Sequence, residues 1–292
     1  MKIAIATDTN SGITAMEGEK LGVFVLAMPV NLEETIHYEG IDITSEQLYD
    51  AMRQHRDVST SQPSPGQLME LWDGILAKGY DEIVYIPMSS GLSGSCQSAA
   101  LFAQDYDGRV QVVDNHRISV TQKESVISAL RLVEQGYDAG QIRDFLEKHA
   151  YDASIYITVD SMEYLKKGGR VTPAAATLAT VLNLKPVLTI QGDKLDAFAK
   201  VRGMKLAESK MIEAIHHDRE ARFKDIPESR LLIETAGTLE SEELAEHWRQ
   251  QVQAEFPFAK VSYANLPCSI ACHVGMNSVA TVIMTEEVQR AD

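Results

Sequence analysis

Residues 82–95 read Glu82-Ile83-Val84-Tyr85-Ile86-Pro87-Met88-Ser89-Ser90-Gly91-Leu92-Ser93-Gly94-Ser95. An apolar, β-rich run breaks into a Gly/Ser loop, and a helical pattern follows from Cys96 to Ala103. Strand, small-residue loop and helix in that order form the repeating unit of an α/β fold. Outward from this stretch the same rhythm recurs, with strand-like runs at Lys2 to Thr7, Leu21 to Met28, Arg109 to Val113 and Ala153 to Val159. The first half is therefore expected to be a largely parallel sheet with flanking helices. Helix starts are marked by Thr44 before Gln47, Ser64 before Pro65 and Gln67, and Asp138 before Gln141, each with the spacing of a capping box. After Ser64, the residues Leu68, Leu71, Trp72, Ile75 and Leu76 fall on one helical face and Gly79 follows, which makes Trp72 a core residue.

From about residue 161 the pattern changes. A Gly-Gly turn precedes a Pro-started helix from Pro173 to Asn183, and Lys185 to Ile190 with Leu195 to Val201 flank Gly192-Asp193 as a β-hairpin. Arg230 to Thr235 is followed by a helix from Ser241 to Glu255, and Lys260 to Asn265 leads to a closing strand from Ser278 to Thr285. The expected organisation is an α/β domain over 1–160 and an α+β domain over 161–292, packed with a cleft between them.

Across 292 residues, 27 Lys and Arg face 42 Asp and Glu, a net charge of −15. That balance opposes nucleic-acid binding, which depends on cationic surfaces releasing phosphate counterions. The charge is uneven: residues 166–210 hold nine basic and three acidic side chains, a local +6 that leaves −21 elsewhere. Such a segment suits an anionic partner or a lipid headgroup region. Three cysteines, an odd number, and no segment long enough to span a bilayer fit a soluble protein of the reducing cytoplasm.

Three segments hold more Gly, Ser and Thr than secondary structure requires: Thr60-Ser61-Gln62-Pro63-Ser64, Ser89 to Ser95, and Lys166 to Val171. The first two precede helices, where free N–H groups and the macrodipole attract an anion, so both are expected at one site along the carboxyl edge of the sheet. Ordinary caps and turns use the same residues, and Ser64 is explained as a cap. Familiar catalytic signatures fail. Gly91-Leu92-Ser93-Gly94-Ser95 lacks the last glycine of a nucleophile elbow, Gly74 to Gly79 is followed by Tyr80-Asp81 and not by Lys-Ser/Thr, and no G-x-G-x-x-G occurs. Cys268, Cys272 and His273 lack a second ligand pair at zinc spacing, and His216-His217 lies on a polar, solvated helix. No metal and no resident cofactor are expected.

Five ordered motifs then carry a resemblance: Thr60-Ser61-Gln62-Pro63, Ser89-Ser90-Gly91-Leu92-Ser93-Gly94, Tyr164 to Arg170, Lys185-Pro186-Val187-Leu188 and Lys200-Val201-Arg202, with Thr7-Asp8-Thr9-Asn10-Ser11 at the start. Together they resemble the bacterial DegV family over essentially the whole chain. The resemblance implies a two-domain lipid-binding protein, similar to the fatty-acid-binding subunits of bacterial fatty acid kinase, with the lipid site between or within the domains. It assigns Ser61 and Ser93 to the carboxylate, with Thr60 and the Gly94 N–H nearby and Arg170 and His273 completing the polar end. Arg202 would engage the kinase or the membrane. ATP and Mg²⁺ would belong to the separate kinase subunit, which phosphorylates the bound long-chain fatty acid to an acyl phosphate. The chain departs from the family in one place, where Gly275-Met276-Asn277 stands for a usual Gly-Pro-Gly. A rival reading makes the protein an acyl or phosphoester hydrolase with Ser93 as nucleophile and His273 as base.

Overall fold

The short apolar runs of the first half pair side by side in the computed structural model, which describes residues 1–177 and 184–289. In chain order the elements are β1 (Ile3–Asp8), α1 (Ala15–Leu21), β2 (Val23–Leu26), β3 (Pro29–Leu32), β4 (Thr35–Tyr38), α2 (Ser45–Arg53), β5 (Val58–Thr60), α3 (Pro65–Ala77), β6 (Glu82–Ile86), α4 (Ser95–Phe102), β7 (Val110–Val112), α5 (Val120–Glu134) and α6 (Ala139–Lys148). They continue as β8 (Ala153–Thr158), α7 (Glu163–Gly168), α8 (Pro173–Ala176), β9 (Leu184–Ile190), β10 (Asp196–Arg202), α9 (Met204–Ala221), β11 (Leu231–Gly237), α10 (Glu242–Glu255), β12 (Ser262–Asn265), α11 (Cys268–Val274) and β13 (Val279–Thr285).

The first sheet has the order β2-β1-β6-β7 and is parallel throughout. Strand order reverses between β1 and β6, and at such a switch point the loops leaving the carboxyl ends diverge and open a crevice. The buried Asp8 carboxylate fixes this edge, accepting from the N–H groups of Asn10 (3.0 Å) and Met88 (3.1 Å) and from Gln122 Nε2 (3.0 Å). Thr44, Ser64 and Asp138 cap α2, α3 and α6 with complete capping boxes. Trp72 is fully buried under the sheet, edge-on to Tyr85 and Tyr106. A small antiparallel sheet, β4-β3-β5, was not legible in the sequence.

The second sheet has the order β10-β9-β8-β13-β11-β12, with only β11 and β12 parallel. Here the expected organisation needs correction. The strand Ala153–Thr158 is hydrogen-bonded antiparallel to both β9 and β13, so the second sheet begins before residue 160 and a division at 160/161 separates β8 from its partners. The physical reason is that all six residues of β8 are buried, which gives a central antiparallel strand the continuous apolar look of a parallel one. The expected helix from Pro173 starts as α8, and residues 178–183 lie outside the described residues.

The two halves share a core. One cluster joins Leu92, Ile118 and Val120 of the first half to Ile155, Ile157 and Val282 of the second. After β13 the chain returns to the first half, where Val288 packs with Val126 and Ile142 and Glu287 pairs with Arg117, both side chains almost wholly buried. The β9–β10 hairpin tip also crosses over: the Ser89 hydroxyl donates to the Gly192 carbonyl. A Cβ on Gly91 would stand 2.5 Å from Asp193 Oδ1 and 2.7 Å from its Cα, so only glycine admits the tip there.

Candidate functional site

The loop from Ser89 to Gly94 is built as a small cage. Ser89 accepts at its carbonyl from the N–H groups of Leu92 and Ser93 (both 3.1 Å), and its hydroxyl accepts from the Gly91 N–H (3.1 Å). Ser93 Oγ accepts from the Ser95 N–H at 3.2 Å, which leaves the hydroxyl proton available to a ligand. Ser61 follows β5, whose Thr60 pairs with Val30 of β3. The Thr60 segment therefore reaches the site from the small antiparallel sheet and not from the parallel edge, correcting that part of the expectation. Gln62 ties the Thr60 segment to α4, its Oε1 accepting from the Ser98 hydroxyl at 3.3 Å.

Thr60 Oγ1 lies 2.8 Å from His273 Nε2. Burial, with the Arg170 charge adding to it, pushes the His273 pKa down to about 4, so the imidazole is neutral at physiological pH. Its Nδ1 is buried without a partner among the described residues, and a Cβ on Gly168 would clash with that nitrogen. Glycine at 168 is thus required for the ring to stand where it does. Arg170 is held by the carbonyls it donates to, Leu92 O from Nε (3.2 Å) and Gly168 O from Nη1. In the Gly275-Met276-Asn277 turn, Asn277 adopts φ +56°, a conformation Asn accepts more readily than most side chains.

Thr60, Ser61, Ser93, Arg170 and His273 all line one cavity with about 900 Å³ of empty space, its open mouth included. Its walls come from facing rows of the second sheet. Ile190, Ile155 and Val282 stand in register across β9, β8 and β13, and Ile157, Ala280 and Ala236 across β8, β13 and β11. Gly94 lies outside this lining and forms the N-cap of α4. Arg202 is exposed at the end of the edge strand β10, opposite Leu184. Within the basic segment, Lys167, Lys185 and Lys210 pair with Asp57, Asp160 and Glu213, so fewer cations remain than the sequence count suggests.

Sequence reasoning missed Gln62, Asn10, Ser119 and Ser269, which also line the cavity. Ser269 carried a signal, since it stands one turn before His273 on α11 and shares its face. Cys268 and Cys272 of the same helix face away into a separate cluster with Tyr49 and Met52, and burial pushes the Cys268 thiol up to about 12. Among the described residues, no three His, Cys, Asp or Glu side chains are grouped to hold a metal ion.

Hydroxyls, one guanidinium and a neutral imidazole at one end of an apolar cavity are suited to a weakly charged or anionic head on an apolar body. The comparisons agree with that arrangement. A sequence profile of the family described as "Uncharacterised protein, DegV family" matches residues 2–286. A DegV domain-containing protein of Deinococcus radiodurans is 35% identical over 74% of this chain and 76% of its own, and one of Streptococcus pneumoniae is 30% identical over 96% and 98%. Among solved structures, a fatty-acid-binding DegV family protein from Thermus thermophilus superposes with a TM-score of 0.86 at 30% identity, covering 98% of this chain and 100% of the other. DegV, a fatty acid binding protein from Bacillus subtilis, gives 0.84 at 26%, covering 98% and 99%. The chain belongs to the DegV family.

Proposed function

We propose that the protein binds a long-chain fatty acid in the cavity between its two sheets and presents the carboxylate to a separate kinase subunit, which carries ATP and Mg²⁺ and forms the acyl phosphate. The observation that carries this reading is the polar end of an otherwise apolar cavity, in a chain similar to solved fatty-acid-binding proteins. Each buried methylene contributes about 0.8 kcal/mol, so a long acyl chain gives a gross figure on the order of 10 kcal/mol before association costs. The Ser61 and Ser93 hydroxyls hold the carboxylate, Thr60 and His273 close the polar end, and Arg170 steadies the added phosphate charge. The Gly94 end of the loop, exposed at the start of α4, gives the phosphoryl donor its approach.

Arg202, with Lys200 and Lys205, exposed and without ion pairs among the described residues, forms the docking face for the kinase subunit or a transient membrane-surface contact. No described helix is long and apolar enough to cross a membrane, and the working location on this reading is the cytoplasm. Organic extraction of purified protein should release about one long-chain fatty acid per chain, identified by mass spectrometry. With a fatty acid kinase and ATP, hydroxylamine should trap an acyl phosphate. A protein that is empty and ignores added fatty acid would overturn the reading.

The hydrolase alternative is disfavoured by the geometry. His273 Nε2 pairs with Thr60 and not with Ser93, and among the described residues Nδ1 meets no carboxylate that could orient it as a base.

A further inference from the structure

Behind the polar end of the cavity runs a chain of hydrogen bonds that starts from a residue with no role so far. Asn10 lines the cavity with 1% of its surface exposed, and it is bracketed by the two groups of residues that build that end. On one side Asp8, two residues earlier, accepts from the Met88 N–H at the root of the Ser89–Ser93 loop. On the other, Asn10 Oδ1 accepts from Ser269 Oγ at 2.8 Å, and Ser269 stands one turn before His273 on the same face of α11. The Ser269 hydroxyl has a second neighbour, Glu39 Oε2 at 3.0 Å. Glu39 follows β4 and lies outside the lipid cavity, in a separate cleft that it shares with Tyr38 and Glu70.

One hydroxyl proton cannot serve two acceptors. Glu39 Oε2 also accepts from Thr9 Oγ1 (2.8 Å), which accepts in turn from the Met28 N–H (3.1 Å), and Glu39 Oε1 accepts from the Cys268 N–H. A neutral Glu39 carboxyl satisfies every one of these atoms: Oε2–H donates to Ser269 Oγ, and the Ser269 proton goes to Asn10 Oδ1. Burial pushes the Glu39 pKa up, toward that form. With its oxygen engaged, Asn10 turns Nδ2 to the remaining space, where it is buried and has no hydrogen-bond partner among the described residues. The amide lies near enough to Asp8 to favour that carboxylate's charge, and its nitrogen has a second proton to give. An ionised Glu39 takes the Ser269 proton for itself. The Asn10 amide is then best bonded the other way round, with its carbonyl set against any anion in the cavity.

We propose that Asn10 Nδ2 is a further donor to the fatty-acid carboxylate, and that Glu39, acting through Ser269, is the positioning residue that turns this amide donor-inward. The proposal deepens the fatty-acid reading and rests on it. The other titratable groups facing Glu39 are Tyr49 of α2 and Cys268 and Cys272 of α11, all pushed up by burial, while Asp8 faces Asn10. The test uses the full chain stripped of lipid, with dissociation constants for monomeric palmitate between about pH 6.5 and 9, where its carboxyl stays ionised. Asn10→Leu should weaken binding roughly ten- to a hundred-fold, the loss of one charge-assisted hydrogen bond. Wild-type affinity should fall as pH rises and Glu39 loses its proton. Glu39→Ala should bind weakly throughout. Glu39→Gln, whose amide donates to Ser269 at every pH, should restore tight binding and flatten the profile, a reading that holds even where the alanine or leucine variant misfolds. In Asn10→Leu the pH-dependent decline should vanish, which a merely structural role for Glu39 would not produce. A folded Asn10→Leu that binds palmitate like the wild type, a flat wild-type profile, or a decline that survives in Glu39→Gln would overturn the proposal and leave the fatty-acid reading in place. Failure of the wild type to bind palmitate at any pH would remove both.

Discussion

At its mouth the cavity presents Thr60, Ser61, Ser93, Arg170 and His273 from loops and element ends, whereas its walls are Ile155, Ile157, Ala280 and Val282 on the adjacent central strands β8 and β13. The mouth is directional, since a hydroxyl moved by 1 Å loses its hydrogen bond. The walls are not, since apolar burial scales with area and tolerates sliding. The difference teaches that affinity and register come from separate parts of the molecule: the walls supply most of the energy and the mouth decides which atom of the ligand faces the solvent.

Filling the walls should have the largest effect. Ala280 and Ala236 face each other across β13 and β11, and their small side chains leave the room beside Ile157. Ala280→Phe should displace several methylenes of ligand and weaken fatty-acid binding by about 3 kcal/mol or more, while thermal melting of the lipid-free protein shows the fold intact. If this variant still copurifies with lipid at full occupancy, the acyl chain does not run along these strands.

A change of pH acts on the mouth through His273. His273 has a folded pKa near 4 against an unfolded value of 6.5, so the unfolded chain takes up its proton first. The contribution is present above pH 6.5 and is lost as pH falls toward 4, by up to about 3 kcal/mol. Urea unfolding from pH 7 to 4 should show a smaller decline for His273→Gln than for the wild type. Equal declines would place His273 in a wetter setting than the cavity provides.

Smaller again, Ser93→Ala should cost about 1.5–3 kcal/mol of fatty-acid affinity, one charge-assisted hydrogen bond, measured by calorimetry. Its signature against Ala280→Phe is that an analogue with no acceptor at that end, such as the alkane of the same length, should bind both wild type and Ser93→Ala alike. The smallest effect is expected from Thr60→Val, which removes the partner of His273 Nε2 and should lower stability by about 1 kcal/mol in chemical unfolding.

The mouth was more legible in the sequence than the walls. Gly- and Ser-rich loops ahead of helices stand out because regular structure does not need them, and the capping residues Thr44, Ser64 and Asp138 each bond a backbone N–H three positions on, a strictly local matter. The walls depend on partners far along the chain. Ile155 faces the cavity because it stands beside Ile190 and Val282, and no local period records that pairing. The same cause hid the allegiance of β8. Helix α11 escaped notice because six of its seven residues are buried, which removes the polar stripe that marks a surface helix. The Cys268, Cys272 and His273 cluster also resolves there, since the cysteines and the histidine occupy different faces of one short helix.

The Arg117–Glu287 pair bears on how this chain could be cut. Two sheets invite the idea of two separable modules, joined near residue 150 and exchangeable between relatives. Yet the first module's buried guanidinium is paired with Glu287, close to the end of the second, and a buried charge stripped of its partner costs several kcal/mol. Expressed as an isolated fragment, the N-terminal half would carry that burden together with the hole left by Val288. The two halves should be recoverable as a co-expressed split pair, with the strap 286–288 acting as the reassembly tag, and as single proteins only when Arg117 is replaced by an apolar residue.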